Sequence, residues 1–210
     1  MLDIMKIKIC GLTKFNNMEE LVGLNPDFMG LIFYKQSPRY IYNSNHIEQI
    51  QKFKSVSKVG VFVNEDLSIV KEKIIEFNLN FIQLHGDEDI EYIKNIPKNV
   101  GIIKAIKIKN REDISSASLY KNNCDFILFD TATINMGGSG TKFNWEWLND
   151  YNQETPFLLA GGISLNDIEE IIELKKRNKK FAGVDLNSKF EIQAGIKNIE
   201  NLKQFISCIR

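Results

Sequence analysis

Short apolar runs alternate with longer amphipathic ones along the whole chain of 210 residues. The apolar runs fall at 6–10, 28–33, 58–63, 81–84, 101–106, 126–130, 157–160 and 181–186, each rich in Ile, Val, Leu or Phe. Gly, Asn, Asp or Pro bound most of them, the usual punctuation of strands. Their hydrophobicity is continuous rather than alternating. That predicts strands buried on both faces, as in a parallel sheet. Between them the period becomes helical. Over 66–77, Leu67, Val70, Ile74 and Phe77 share a face, with Glu72 and Lys73 outside it. A second helix is predicted over 165–174, with Ser164 as its N-cap. A third is predicted over 198–209, with Ile199, Leu202, Ile206 and Ile209 on one face.

Eight strand–helix units predict an α/β fold, a (β/α)8 TIM barrel near the lower end of its size range, about 200 residues. A doubly wound sheet is the alternative. It would want a Rossmann glycine fingerprint after the first strand, and none follows. No Pro- or Ser-rich linker and no long charge run divides the chain, so one domain over 1–210 is the expectation.

Composition narrows the function. Lys+Arg and Asp+Glu are both 27, giving zero net charge. A nucleic-acid or anionic-membrane binder draws its affinity largely from excess basic charge, so neither is expected as a partner. The first residues, Met1 to Lys6, lack a secretory pattern, and no stretch is long and apolar enough for a membrane span. Three widely spaced cysteines with no CxxC pair suggest a reducing compartment, the cytoplasm, and no zinc site.

Two groups carry candidate chemistry. Cys10 ends the first predicted strand, directly before Gly11. Free thiols are most often buried core residues, but the last residue of a barrel strand lies on the catalytic rim. A thiol with an ordinary pKa of about 8.5 would need a modest depression to serve as a base. Asp130 ends the sixth predicted strand, after four apolar residues, and is followed by Gly137, Gly138, Ser139 and Gly140. Its alternative reading is a loop or capping carboxylate. As a general acid it would need a raised pKa, which desolvation in a closed pocket supplies. Strands one and six lie roughly across a barrel, so Cys10 and Asp130 could flank one substrate.

Other residues frame these two. Arg39 follows the second strand, either as a surface residue or as a bidentate clamp for a carboxylate. His85 follows the fourth strand as a polar contact or a loop histidine, whereas His46 sits on a predicted helix away from the rim. Gly161-Gly162 follows the seventh strand and Asn187-Ser188 the eighth, where barrels often bind phosphate. Gly138-Ser139-Gly140 would add backbone donors. Cys124, Cys208, Trp145 and Trp147 are expected to be structural, the tryptophans packing a sixth helix.

Together these segments resemble the phosphoribosylanthranilate isomerase family of tryptophan biosynthesis. The resemblance rests on KICGLT (8–13), GLIFYKQSPRYI (30–41), VGVFVN (59–64), IQLHGDE (82–88), FDT (129–131), GGSGTKFNW (137–145), LAGGI (159–163) and GVDLNS (183–188). It implies a (β/α)8 barrel in which Cys10 is the base, Asp130 the acid and Arg39 the contact for the anthranilate carboxylate. The implied reaction is an Amadori rearrangement of a phosphosugar. Asp130 would open the furanose ring to a protonated imine, and Cys10 would take the proton from the adjacent sugar carbon. The imine is an internal electron sink, so no cofactor and no metal is implied. Monomer and homodimer both remain open. The chain departs at the eighth loop. Where relatives commonly read Ser-Ser-Gly-Val-Glu, it has Asn187-Ser188-Lys189-Phe190-Glu191. A non-glycine residue at positive φ there would be strained, and Lys189 would add positive charge. Competing readings are another phosphosugar barrel, namely an indole-glycerol-phosphate synthase or a ribulose-phosphate epimerase, and a non-catalytic phosphate-binding barrel.

Overall fold

The structure is a computed structural model that describes residues 4–41, 46–132 and 142–210. Eight parallel strands close a barrel in chain order: β1 (Lys6–Cys10), β2 (Phe28–Ile32), β3 (Ser57–Phe62), β4 (Phe81–Leu84), β5 (Gly101–Ile108), β6 (Phe126–Thr131), β7 (Phe157–Leu159) and β8 (Phe181–Leu186). Closure is made by β8 against β1, with Lys6 beside Gly183 and Ile9 beside Leu186. All eight strands overlap the predicted runs, and the continuous hydrophobicity has the expected cause. Outward residues such as Ile7, Ile9, Ile127 and Phe129 pack under the outer layer. Inward residues such as Phe28, Val59, Ile103 and Leu128 fill the barrel itself. Phe28 meets Phe81 and Phe126 edge-on inside it, at 5.3 and 5.8 Å between ring centres.

The outer layer holds α1 (Phe15–Val22), α2 (Ile47–Lys52), α3 (Leu67–Phe77), α4 (Ile90–Lys94), α5 (Ile168–Arg177) and α6 (Ile199–Ile209). Helix α3 shows how local sequence sets an element. Asp66 caps it by accepting from Ser68 N at 2.7 Å. Val70, Ile74 and Phe77 are buried, and Asn78 ends the helix in the left-handed conformation. The predicted 165–174 helix begins as a 3-10 turn, Leu165–Asp167, that runs into α5. Ser164 and Asp167 form its capping box.

Two connections depart from the expected α-helices. Arg111–Tyr120 and Trp145–Asp150 are 3-10 segments. In the first, the hydroxyls of Ser115, Ser116 and Ser118 each donate to the carbonyl three residues back. Such short-range bonds compete with the α pattern and favour the tighter turn. Trp145 is buried and Trp147 partly so, both structural as expected. After β8 comes an unforeseen addition: a 3-10 turn, Ser188–Phe190, and a small hairpin, β9 (Glu191–Gln193) with β10 (Ile196–Lys197). Among the described residues no helix is long and apolar enough to cross a membrane.

Candidate active site

A cavity of about 260 Å³ opens at the carboxyl ends of the strands. Cys10, Arg39, His85, Asp130, Gly161, Gly162, Asn187 and Ser188 all line it. Gly138, Ser139 and Gly140 lie outside the described residues.

Cys10 is only 4% exposed. Gly30, its neighbour on β2, makes room for it, because a Cβ there would lie 2.6 Å from the Cys10 sulfur. Lys8 shares the inner face of β1, two residues earlier, and its ammonium meets Asp185 Oδ2 at 2.7 Å with both groups buried. Sequence reasoning missed this pair. Burial pushes the Cys10 thiol up, Lys8 pulls it down, Asp185 pushes it up and Lys197 pulls it down; the net direction is upward. The modest depression that a base would need is therefore not met, because removing a thiolate from water outweighs two nearby ammonium groups. Lys8 itself stays cationic: desolvation opposes its charge, but Asp185 and Cys10 together raise its pKa.

Asp130 sits across the cavity at the end of β6. His85 Nε2 lies 3.3 Å from its Oδ2. Gln83, nearly fully buried on β4, places its amide nitrogen 2.9 Å from His85 Nδ1. The carboxylate keeps 25% exposure, so the pocket desolvates it only in part.

Arg39 also lines the cavity, but its guanidinium is not free. Its Nε lies 2.9 and 3.0 Å from the Glu191 oxygens, and an NH2 group lies 2.6 Å from Oε2. Glu191 also accepts from Lys197 Nζ at 2.7 Å and from Gly195 N at 3.1 Å. Burial raises the Glu191 carboxyl, but Arg39 and Lys197 outweigh it and hold the pKa below the usual carboxylate range. Lys197 also donates to Asn187 Oδ1 at 2.7 Å, tying the hairpin to the eighth loop. This Arg39–Glu191–Lys197–Asn187 chain was invisible in the sequence, since Arg39 and Glu191 are 152 positions apart.

Gly161 and Gly162, in the lining after β7, both adopt positive φ, +93° and +72°. The eighth loop carries no such strain: the positive-φ residues other than glycine, among the described residues, are Asn25, Asn64, Asn78 and Asn122. Lys189 lines the cavity beside Ser188, in keeping with its expected charge contribution. A methyl group at Gly161 would lie 2.3 Å from Thr131 Oγ1 and 2.7 Å from Thr131 N. Gly161→Ala should therefore lose about 1–3 kcal/mol of stability, read as a lower urea midpoint. An unchanged midpoint would contradict the tight seventh turn.

The remaining candidates stay structural. Cys124 is half-buried and its thiol is pushed up to about 12 by burial. Cys208 is exposed on α6. His46 directly precedes α2 and stacks on Phe15 at 4.9 Å. Among the described residues no acidic, histidine or cysteine cluster could hold a metal ion.

Fold and site define a (β/α)8 barrel with a thiol, a carboxylate and an arginine lining one rim cavity. Comparison with known proteins narrows the class. The family model for N-(5'-phosphoribosyl)anthranilate isomerase matches residues 7–208. The N-(5'-phosphoribosyl)anthranilate isomerase of Parabacteroides distasonis is 40% identical over 208 residues, 98% of this chain and 93% of that protein. The crystal structure of phosphoribosylanthranilate isomerase from Thermotoga maritima superposes with a TM-score of 0.82 at 30% identity, over 98% of each chain. A phosphoribosylanthranilate isomerase in complex with reduced 1-(o-carboxyphenylamino)-1-deoxyribulose 5-phosphate superposes with a TM-score of 0.79 at 28% identity, also over 98% of each chain. This chain belongs to the N-(5'-phosphoribosyl)anthranilate isomerase family.

Proposed function

We infer that the chain catalyses the Amadori rearrangement of N-(5-phosphoribosyl)anthranilate to 1-(2-carboxyphenylamino)-1-deoxyribulose 5-phosphate, in tryptophan biosynthesis. The observation that carries the chemical part is the meeting of Cys10 and Asp130 on one cavity. Asp130 protonates the furanose ring oxygen, and the ring opens to a protonated imine. Cys10 then removes the proton from the sugar carbon next to that imine. The enolamine formed tautomerises to the ketose. Each positioned proton-transfer group contributes about 10²–10⁴-fold.

The upward-shifted thiol fits this order of events. Burial favours the protonated thiol despite the two ammonium groups beside it, and the imine made by ring opening adds a further positive charge. A positive charge nearby favours the thiolate. Lys8 and Lys197 act in the same direction. Turnover needs Cys10 ionised and Asp130 protonated together, so kcat/KM is expected to follow a bell, falling in acid as the thiolate is lost and in alkali as the acid's proton is lost. A rate that keeps rising about tenfold per pH unit into alkaline solution would leave the mechanism without its general acid.

The phosphate is assigned to Gly161, Gly162, Asn187 and Ser188, with Lys189 adding charge. The anthranilate carboxylate is assigned to Arg39. Glu191 fixes one edge of the guanidinium and leaves the remaining N–H groups for that carboxylate. Arg39→Met should then weaken binding by about 1.5–3 kcal/mol, the strength of a charged hydrogen bond. This is read as a KM raised about 10- to 100-fold with a smaller change in kcat; an unchanged KM would return Arg39 to a structural role. One barrel supplies acid, base and both anion anchors, so catalysis needs no second copy, whether the protein is a monomer or a homodimer in the cytoplasm. The test is loss of fluorescence when purified protein meets freshly generated phosphoribosylanthranilate. A trace that does not change with protein concentration would refute the assignment.

A further inference from the structure

Behind the rim, on the outer side of the barrel, lies a buried ion pair that the reaction itself does not use. Glu88 and Lys104 meet at 3.0 Å, and each side chain is only 2% exposed. Burying two charges is costly, and such a pair is by itself weak evidence of stabilisation. Its hydrogen bonds show what it holds. Lys104 Nζ also donates to Gly86 O at 2.7 Å and to Leu84 O at 3.3 Å. Glu88 accepts from Gly86 N at 3.0 Å and from Asn64 N at 2.8 Å. Leu84 and Gly86 are the residues on either side of His85. His85 N is itself bound to Phe62 O at 2.9 Å. Asn64 closes the loop from the other side: its Oδ1 accepts from Asp87 N at 2.7 Å, and a Cβ at Gly86 would lie 2.2 Å from that oxygen. The backbone carrying His85 is therefore clamped on both sides, and the side chain so held reaches Asp130 at 3.3 Å.

We propose that the buried Glu88–Lys104 pair is a positioning device for catalysis: it clamps the loop after β4 so that His85 is held against Asp130. Neither residue touches the cavity, and the pair acts only through His85. The proposal rests on Asp130 being the general acid, and turnover of Asp130→Asn measured in the same assay tests that reading separately. Misplacing a reactive group by about an ångström can cost up to about 100-fold.

The test is a cycle of substitutions. Glu88→Gln combined with Lys104→Met removes both charges together and keeps an acceptor for the Asn64 and Gly86 amides. Expected are a kcat lowered about tenfold, KM and the Kd for the reduced product analogue within about twofold, and a separate loss of kcat in His85→Ala. In the His85→Ala background the paired change should cost less than about twofold more, because coupled residues are not additive. The chain has 2 histidines, so the imidazole nitrogen resonances give a direct readout: those of His85 should move in the paired variant and those of His46 should not. Normal kcat in the paired variant, an undiminished kcat in His85→Ala, an equal loss with and without His85, or analogue binding that falls in step with kcat would each overturn the proposal. Should the paired variant not fold, Glu88→Gln alone serves, with displaced His85 resonances expected and unmoved ones overturning the clamp.

Discussion

Cys10→Ser is expected to lower kcat by about 10²–10⁴-fold, the range of a lost general base, with little change in stability. The hydroxyl is smaller than the thiol and fits the space that Gly30 leaves. It ionises far less readily, so Lys8 and Lys197 have no accessible anion to stabilise. The imine formed by ring opening would then persist without losing its neighbouring proton. The expected signature is intact circular dichroism, an unchanged unfolding midpoint and near-normal binding of the reduced product analogue, together with a collapsed rate. Near-wild-type turnover in a folded variant would remove Cys10 from the mechanism. It would also leave the buried Lys8–Asp185 pair at the base of the pocket without a catalytic explanation.

Asp130→Asn should abolish ring opening by the same order of magnitude, about 10²–10⁴-fold. The amide keeps the shape of the carboxyl and can still accept from His85 Nε2, so the side chain should stay in place. It has no proton to deliver to the ring oxygen at neutral pH. Binding and chemistry therefore separate: titration calorimetry with the reduced product analogue should give a nearly unchanged Kd while turnover disappears. A variant that binds normally and still isomerises at a substantial rate would place the general acid elsewhere. His85 would be the next candidate, since it lines the same cavity 3.3 Å away.

The barrel was legible because a strand buried on both faces leaves a continuous apolar run. Strands such as Phe28–Ile32, buried at every position, show it most plainly. The rim residues were legible for a related reason: Cys10 and Asp130 interrupt apolar runs at their carboxyl ends, where the fold places chemistry. What stayed hidden depended on partners far away in sequence. Nothing near Lys8 or Lys104 in the sequence marks a partner, yet both are buried, one paired with Asp185 and the other with Glu88. The fork between Arg39 and Glu191 depends on a hairpin too short and polar to register as strands. The direction of the Cys10 shift was not legible, because position along a strand says nothing about how deeply the thiol is removed from water. The 3-10 segment Arg111–Tyr120 carried its signal in three serines, a composition that a period-based reading passes over.

The central claim is that two groups on this barrel, Cys10 and Asp130, isomerise phosphoribosylanthranilate. Single-turnover fluorescence with protein in excess over freshly generated substrate tests it most directly, comparing the wild type with the Cys10→Ser/Asp130→Asn double variant. The account predicts rapid fluorescence loss with the wild type and, with the double variant, decay no faster than in the absence of protein. A folded double variant that consumes the substrate at the wild-type rate, or a wild type that leaves the spontaneous decay unchanged, would contradict it.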